Sequence, residues 1–281
     1  MAQFFTRLLL ATEHSEFDSG AEVMAFALAQ RCQLPLATVL PLVSNPEYKD
    51  IASKVAARAE QEAAAKIAQL REQAQAAGVS IDVHLRRGEE SYRVIVDEAT
   101  AQGSDVIIIR RRGKRSFLAN LMVGELASKV VAHAPCHVLI VSREARMWQQ
   151  RVLVAAEATA QGRQVVVTAI AVAAQCGLPL HLVTVVATEA LRAQADAFVI
   201  EKIKQAQAQG VVARGEVRVG KPYKEILAAR VASQADLIVM GSRGEARLGR
   251  ALVGGVAQKV MGLSEHPVLV LNLLKFQGLL S

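Results

Sequence analysis

Val239-Met240-Gly241-Ser242-Arg243-Gly244, followed after nine residues by Gly254-Gly255-Val256, is the stretch whose reading decides the fold. An apolar run, Asp236 to Met240, enters a glycine turn, and an amphipathic run, Val256 to Leu263, leaves it. A run this short, bounded by a turn signal, reads as a buried strand, so the stretch predicts strand, loop and helix in succession. Glycines at such a junction let backbone N–H groups approach an anion, and a helix N-terminus adds partial positive charge. Arg243, Arg247 and Arg250 bring cations to the same loop. Phosphate fits that description.

Working outward, the whole chain alternates strands with helices. The first half predicts strands at Arg7–Thr12, Leu36–Val43, Ile81–Arg86, Asp105–Arg110 and His137–Val141. Helices are predicted at Ser19–Cys32, Ile51–Ala77, Tyr92–Gln102 and Leu121–His133. This alternation calls for βαβ units and a parallel sheet. Gly78 and Gly103 stop two of the helices, and Pro35 sits just beyond a third.

The second half repeats the first. Leu8-Leu9-Leu10-Ala11-Thr12-Glu13 recurs as Val152-Leu153-Val154-Ala155-Ala156-Glu157, and Cys32-Gln33-Leu34-Pro35-Leu36 as Cys176-Gly177-Leu178-Pro179-Leu180. Ser104-Asp105-Val106-Ile107-Ile108 recurs as Ala235-Asp236-Leu237-Ile238-Val239, and Ala127-Ser128-Lys129-Val130 as Ala257-Gln258-Lys259-Val260. Similarity in matching order is the mark of duplication. The offset falls from 144 at Glu13/Glu157 to 132 at Gly78/Gly210, so the first repeat carries 12 extra residues, expected in its second helix and the preceding loop, Ser44–Asp50. The domains are expected at 1–145 and 149–273, and Trp148 is expected to pack between them.

Composition agrees with this layout. Hydrophobic residues make up 52% of the 281 and aromatics only 4%, the usage of buried strands flanked by helices. The N-terminus lacks a basic segment followed by an apolar one, and the apolar window Val165–Ala187 is broken by Gly177, Pro179 and His181. Neither secretion nor membrane insertion is expected. Cys32, Cys136 and Cys176 have no metal-ligand spacing and read as reduced core thiols of a cytoplasmic protein. The net charge of +7 falls mostly in residues 149–281, which hold 15 basic and 9 acidic side chains; an anionic ligand there is one explanation, and nucleic acid or an acidic partner are others.

The glycine spacing resembles the nucleotide-binding loop of the universal stress protein family, which reads Gly-2x-Gly-9x-Gly-Ser/Thr. Gly241, Gly244 and Gly254 match, and Gly255 stands where the family has a hydroxyl residue. The resemblance covers both halves. It implies an α/β chain of two tandem flavodoxin-like (Rossmann-type) domains, each a five-stranded parallel sheet of order 3-2-1-4-5 with helices on both faces. Ligands of such sheets sit beyond the strand ends where the order reverses, between strands 1 and 4. The implied nucleotide residues of the second repeat are Ala155, Ala156, Glu157, Val185, Met240, Gly241, Arg243, Gly244, Arg247, Gly254, Gly255 and Val256. Glu157, at the end of strand 1 where the family has Asp, would hold the ribose. The first repeat departs further, with Arg110 in the first glycine position and Glu125 in the hydroxyl position. A second, altered anion site would there use Glu13, Arg110, Arg112, Gly113, Lys114 and Gly124.

The implied function is binding of ATP or another adenine nucleotide, with or without Mg²⁺, by a sensor or regulator in stress adaptation. A homodimer, helped by the apolar tail Leu273–Leu280, and a regulatory protein partner are the expected associations. The alternative is a protein-interaction scaffold of the same fold without nucleotide. Catalytic signals are thin: the six histidines show no zinc spacing, no Walker-type Gly-Lys-Ser/Thr occurs, and no paired carboxylates are spaced for a metal. Slow ATP hydrolysis is the most that is expected. No aromatic residues interleave the basic run Arg110–Arg115, so nucleic acid is not an expected partner.

Overall fold

The computed structural model describes residues 5–13, 18–43, 53–111, 124–242 and 253–272, with backbone alone for 53–56. The chain divides into two units, with the division between Met147 and Trp148. In the N-terminal unit the elements run β1 (Leu8–Ala11), α1 (Ser19–Cys32), β2 (Leu36–Val43), α2 (Ser53–Ala76), β3 (Ile81–Gly88), α3 (Ser91–Ala101), β4 (Val106–Arg110), α4 (Glu125–His133) and β5 (His137–Val141). The C-terminal unit has β6 (Val152–Ala155), α5 (Ala160–Cys176), β7 (Leu180–Val186), α6 (Arg192–Ala208), β8 (Ala213–Val219), α7 (Pro222–Ser233), β9 (Leu237–Gly241), α8 (Gly255–Leu263) and β10 (Val268–Leu271). α4 begins at Glu125; the expected start at Leu121 lies outside the described residues.

Each unit is a parallel sheet with the expected order. In the N-terminal unit it is β3-β2-β1-β4-β5, with Leu8 opposite both Leu36 and Val106. In the C-terminal unit β6 lies between β7 and β9, with Ala155 opposite Val183 and Met240. Every residue of β1, β4, β5, β6 and β10 is buried. Alternate residues of a strand point to opposite faces, so both faces of these strands are covered, and continuous Leu, Ile and Val runs follow from that.

The duplication is visible in small devices. Asp105 accepts the backbone N–H groups of Thr6 and Arg7 at 2.5 and 3.2 Å, and Asp236 accepts those of Gln149, Gln150 and Arg151 at 2.6, 2.9 and 2.9 Å. Each acid thereby fixes the entry of the unit's first strand against its fourth. Lys129 sits over the Tyr92 ring at 5.2 Å, and Lys259 over Tyr223 at 4.7 Å. α2 has 24 residues against 17 in α6, which accounts for part of the extension; Ser44–Asp50 lies outside the described residues. The indole N–H of fully buried Trp148 donates to Cys176 Sγ at 3.4 Å, so this bond lies within the C-terminal unit.

Candidate functional site

β6, β7 and β9 end in alanine, valine and glycine, side chains too small to fill the space above them. What remains is a cleft of about 460 Å³ at the place where the strand order reverses. Ala155, Ala156 and Glu157 line it from β6, Val183 and Val185 from β7, and Met240, Gly241 and Ser242 from β9; Gly254, Gly255, Val256 and Ala257 close one end. Nine of the expected residues therefore meet in one cleft: Ala155, Ala156, Glu157, Val185, Met240, Gly241, Gly254, Gly255 and Val256. Arg243, Gly244 and Arg247 lie outside the described residues.

The α8 end of the cleft is built from backbone. Gly254 caps α8, and its N–H donates to Ser242 O at 2.9 Å, tying the helix start to the end of β9. The first helical donor to close a turn is Gln258 N, which reaches Gly254 O at 3.0 Å. The N–H groups of Gly255, Val256 and Ala257 therefore have no acceptor within the helix, and they carry its positive end. Among the described residues, a Cβ on Gly255 would meet nothing within 4 Å. No described residue crowds the hydroxyl position of the family loop.

The opposite wall comes from residues that sequence reading passed over. Thr159 caps α5, its Oγ1 accepting the N–H of Gly162 at 3.0 Å, while its own N–H donates to Glu157 O at 2.8 Å. This turn brings the backbone of Glu157 onto α5 so closely that a Cβ on Gly162 would lie 1.9 Å from Glu157 O. Only glycine fits. Gln161 and Val165 of α5 and Pro222 and Ile226 of α7 complete the lining. Thr159 three residues before Gly162, and Pro222 at the first position of a helix, were the available signals. Val165, Val183, Val185 and Ile226 make one part of the cleft apolar.

In the N-terminal unit the equivalent place holds charge. Arg110 ends β4 where Gly241 ends β9, and its Nη2 donates to Glu13 Oε2 at 2.7 Å, while Nε lies 2.6 Å from Asp18 Oδ1. Asp18 Oδ2 also accepts Glu13 N–H at 3.1 Å. Beneath them Glu22 Oε1 accepts from Thr12 Oγ1 and from Lys66 Nζ, both at 2.7 Å. Asp18, Glu22, Lys66, Thr12 and Arg110 are all buried. Of the residues expected in a second anion site, Glu13 and Arg110 are brought together as an ion pair; Arg112, Gly113 and Lys114 lie outside the described residues, and Gly124 precedes α4.

Among the described residues no group of three or more His, Cys, Asp or Glu is placed to hold a metal ion, and no helix is long and apolar enough to cross a membrane. The three cysteines are unpaired as disulfides; Cys136 and Cys176 are buried.

The universal stress protein family model matches this chain twice, over residues 5–142 and 149–272. The chain belongs to the universal stress protein family. A universal stress protein from Archaeoglobus fulgidus shares the fold with a TM-score of 0.75 over 97% of this chain and 99% of its own, at 22% identity. Universal stress protein MJ0531 of Methanocaldococcus jannaschii is 34% identical over 96 residues, which are 34% of this chain and 56% of that relative, so the match spans about half the relative's length. A further universal stress protein from Archaeoglobus fulgidus, solved in complex with dAMP, covers 45% of this chain at 19% identity and a TM-score of 0.37.

Proposed function

We propose that the C-terminal unit binds an adenine nucleotide, ATP, ADP or AMP, and that the protein acts as a nucleotide-responsive sensor or regulator in stress adaptation. The observation that carries this reading is the cleft itself. Its volume of about 460 Å³ suits a small ligand, for which pockets of roughly 300–1,000 Å³ are usual. The backbone N–H groups of Gly255, Val256 and Ala257 would receive phosphate, helped by the α8 dipole. Val165, Val183, Val185 and Ile226 offer an apolar surface to the base. The Glu157 carboxylate accepts hydrogen bonds of the kind ribose hydroxyls donate. Arg243, Gly244 and Arg247 belong to the same reading through their place in the loop. Mg²⁺, where present, would arrive with the phosphates, because among the described residues no carboxylate cluster supports an independent site.

Mass spectrometry of gently purified, denatured protein tests the proposal, together with thermal melts in added ATP. Nucleotide released in stoichiometric amount, or a saturable rise in Tm, is the expected result. Absence of both leaves the fold as an interaction scaffold and removes the nucleotide. The homodimer and the regulatory partner are part of the same proposal. Light scattering at micromolar concentration that gave only the 30.1 kDa chain would remove the dimer.

A further inference from the structure

We infer that the N-terminal unit binds no nucleotide, because its crevice is closed by its own side chains. β1 and β4 are paired with Ala11 opposite Ile109, so Arg110 stands beside the end of β1 at the point where the strand order reverses. Its guanidinium spans the switch point, held at 2.7 Å by Glu13 and at 2.6 Å by Asp18. In the C-terminal unit the same backbone position is Gly241, which lines the cleft with no side chain at all.

Charge makes the closure firm. An incoming phosphate would have to displace two carboxylates from Arg110, and Asp18, 1% exposed, would be left as a buried charge. Glu22, paired with Lys66 and Thr12, adds a second buried carboxylate. An anion entering here meets three acids and two bases that already satisfy one another. Taking one partner from such a pair leaves a buried charge uncompensated, which is strongly destabilising. The inference deepens the proposed function by fixing which half of the chain carries the ligand. Its ligand-counting test rests on that reading, while its folding test does not.

The folding test is a double-mutant cycle in the full chain with Arg110→Met and Asp18→Asn, both close in volume to the native residues. Arg110→Met should lower Tm on the order of 10 °C, because buried carboxylates lose their partner. The double variant should regain at least half of that loss. Additive losses, or an unchanged Tm in Arg110→Met, would mean that Arg110 is a free cation and would overturn the inference. The ligand-counting test is equilibrium dialysis with ATP. One equivalent per chain is expected, falling to none in Gly255→Val, whose side chain enters the space in front of α8. Two equivalents, or one that survives Gly255→Val, places nucleotide in the N-terminal unit and overturns the inference. No equivalents at all, with coupling intact in the cycle, upholds the closed crevice and sinks the proposed function instead.

Discussion

At the ends of β1 and β4 the side chains of Thr12, Asp18, Glu22 and Arg110 meet, joined by Lys66 from α2; the matching positions at the ends of β6 and β9 are Ala156, Gly162, Val166 and Gly241, with Phe198 on α6. The strands, their order and their register repeat from one unit to the other. What differs is the contents of one crevice. A parallel sheet leaves a gap where its order reverses, and the gap must be filled by side chains, water or a ligand. The N-terminal unit fills it with a buried ion network. The C-terminal unit withdraws the side chains and leaves space in front of the start of α8. A shared backbone thus sets where a site can be, and a handful of positions sets whether it is one.

The largest effect should come from giving the open cleft a side chain where its turn cannot take one. Gly162→Ala places a Cβ against Glu157 O and forces the 157–162 turn away. Stability should fall by about 3 kcal/mol by overpacking, and nucleotide affinity should be lost with it. Denaturant melts and calorimetric titration check the two effects. Unchanged stability would show that the turn is looser than the contact implies.

The reverse change should sharpen the cleft. Gly255→Ser enters space that no described residue occupies and supplies the hydroxyl that the family loop carries. A new hydrogen bond to phosphate is worth roughly 1.5 kcal/mol, so affinity should rise about tenfold. Weaker binding of ATP in titration would mean that phosphate does not lie at the start of α8.

Much of this was legible in the residues. The repeat of Leu8–Glu13 in Val152–Glu157 and the glycine spacing behind Val239 were enough for the fold, and for most of the cleft residues at the ends of β6 and β9. The Thr159–Gly162 turn was not, because its necessity lies in an approach of Glu157 O to α5 that no spacing displays. Nor was the N-terminal network. Arg110 reads as the residue in the first glycine position, grouped with Glu13 in an altered anion site, and only the fold brings Asp18, five residues beyond Glu13, and Lys66, from another helix, into the same place. Long-range pairing of opposite charges leaves no periodic trace.

A smaller difference between the units lies at the helix ends. Gly177 and Gly103 take the left-handed conformation, with φ of 66° and 59°, and their counterparts Gln33 and Gln234 take it with φ of 54° and 56°. A side chain there costs about 1 kcal/mol relative to glycine. Gln234→Gly should therefore stabilise the C-terminal unit by that amount. Gln33→Gly should gain less, since Gln33 Nε2 donates to Gln30 O at 2.8 Å and the bond would be lost. Melting curves of the two variants give the comparison, and equal gains would contradict the role assigned to that bond.

The smallest expected effect is a difference in acid sensitivity. Burial, with help from the Arg230 charge, holds His266 below its ordinary value near 6.5, and its Nε2 lies 2.8 Å from Arg230 Nη1. Cys136 occupies the equivalent place in the N-terminal unit. A folded pKa below the unfolded one means that the unfolded chain takes up the proton first. His266 therefore supports the fold fully above its ordinary pKa, and that support is lost as pH falls through the lower folded value. Stability measured from pH 7 down to 5 should decline less in His266→Gln than in the native chain. Identical slopes would assign the decline to other groups.

The central claim is that one crevice is open to a nucleotide and the other is not, and amide NMR of the ¹⁵N-labelled full chain during ATP titration tests it most directly. The account predicts saturable shifts at Glu157, Gly241, Ser242, Gly255, Val256 and Ala257, with Glu13, Arg110 and Ala127 unmoved. Saturable shifts at Glu13 and Arg110, or none at the start of α8, would contradict it.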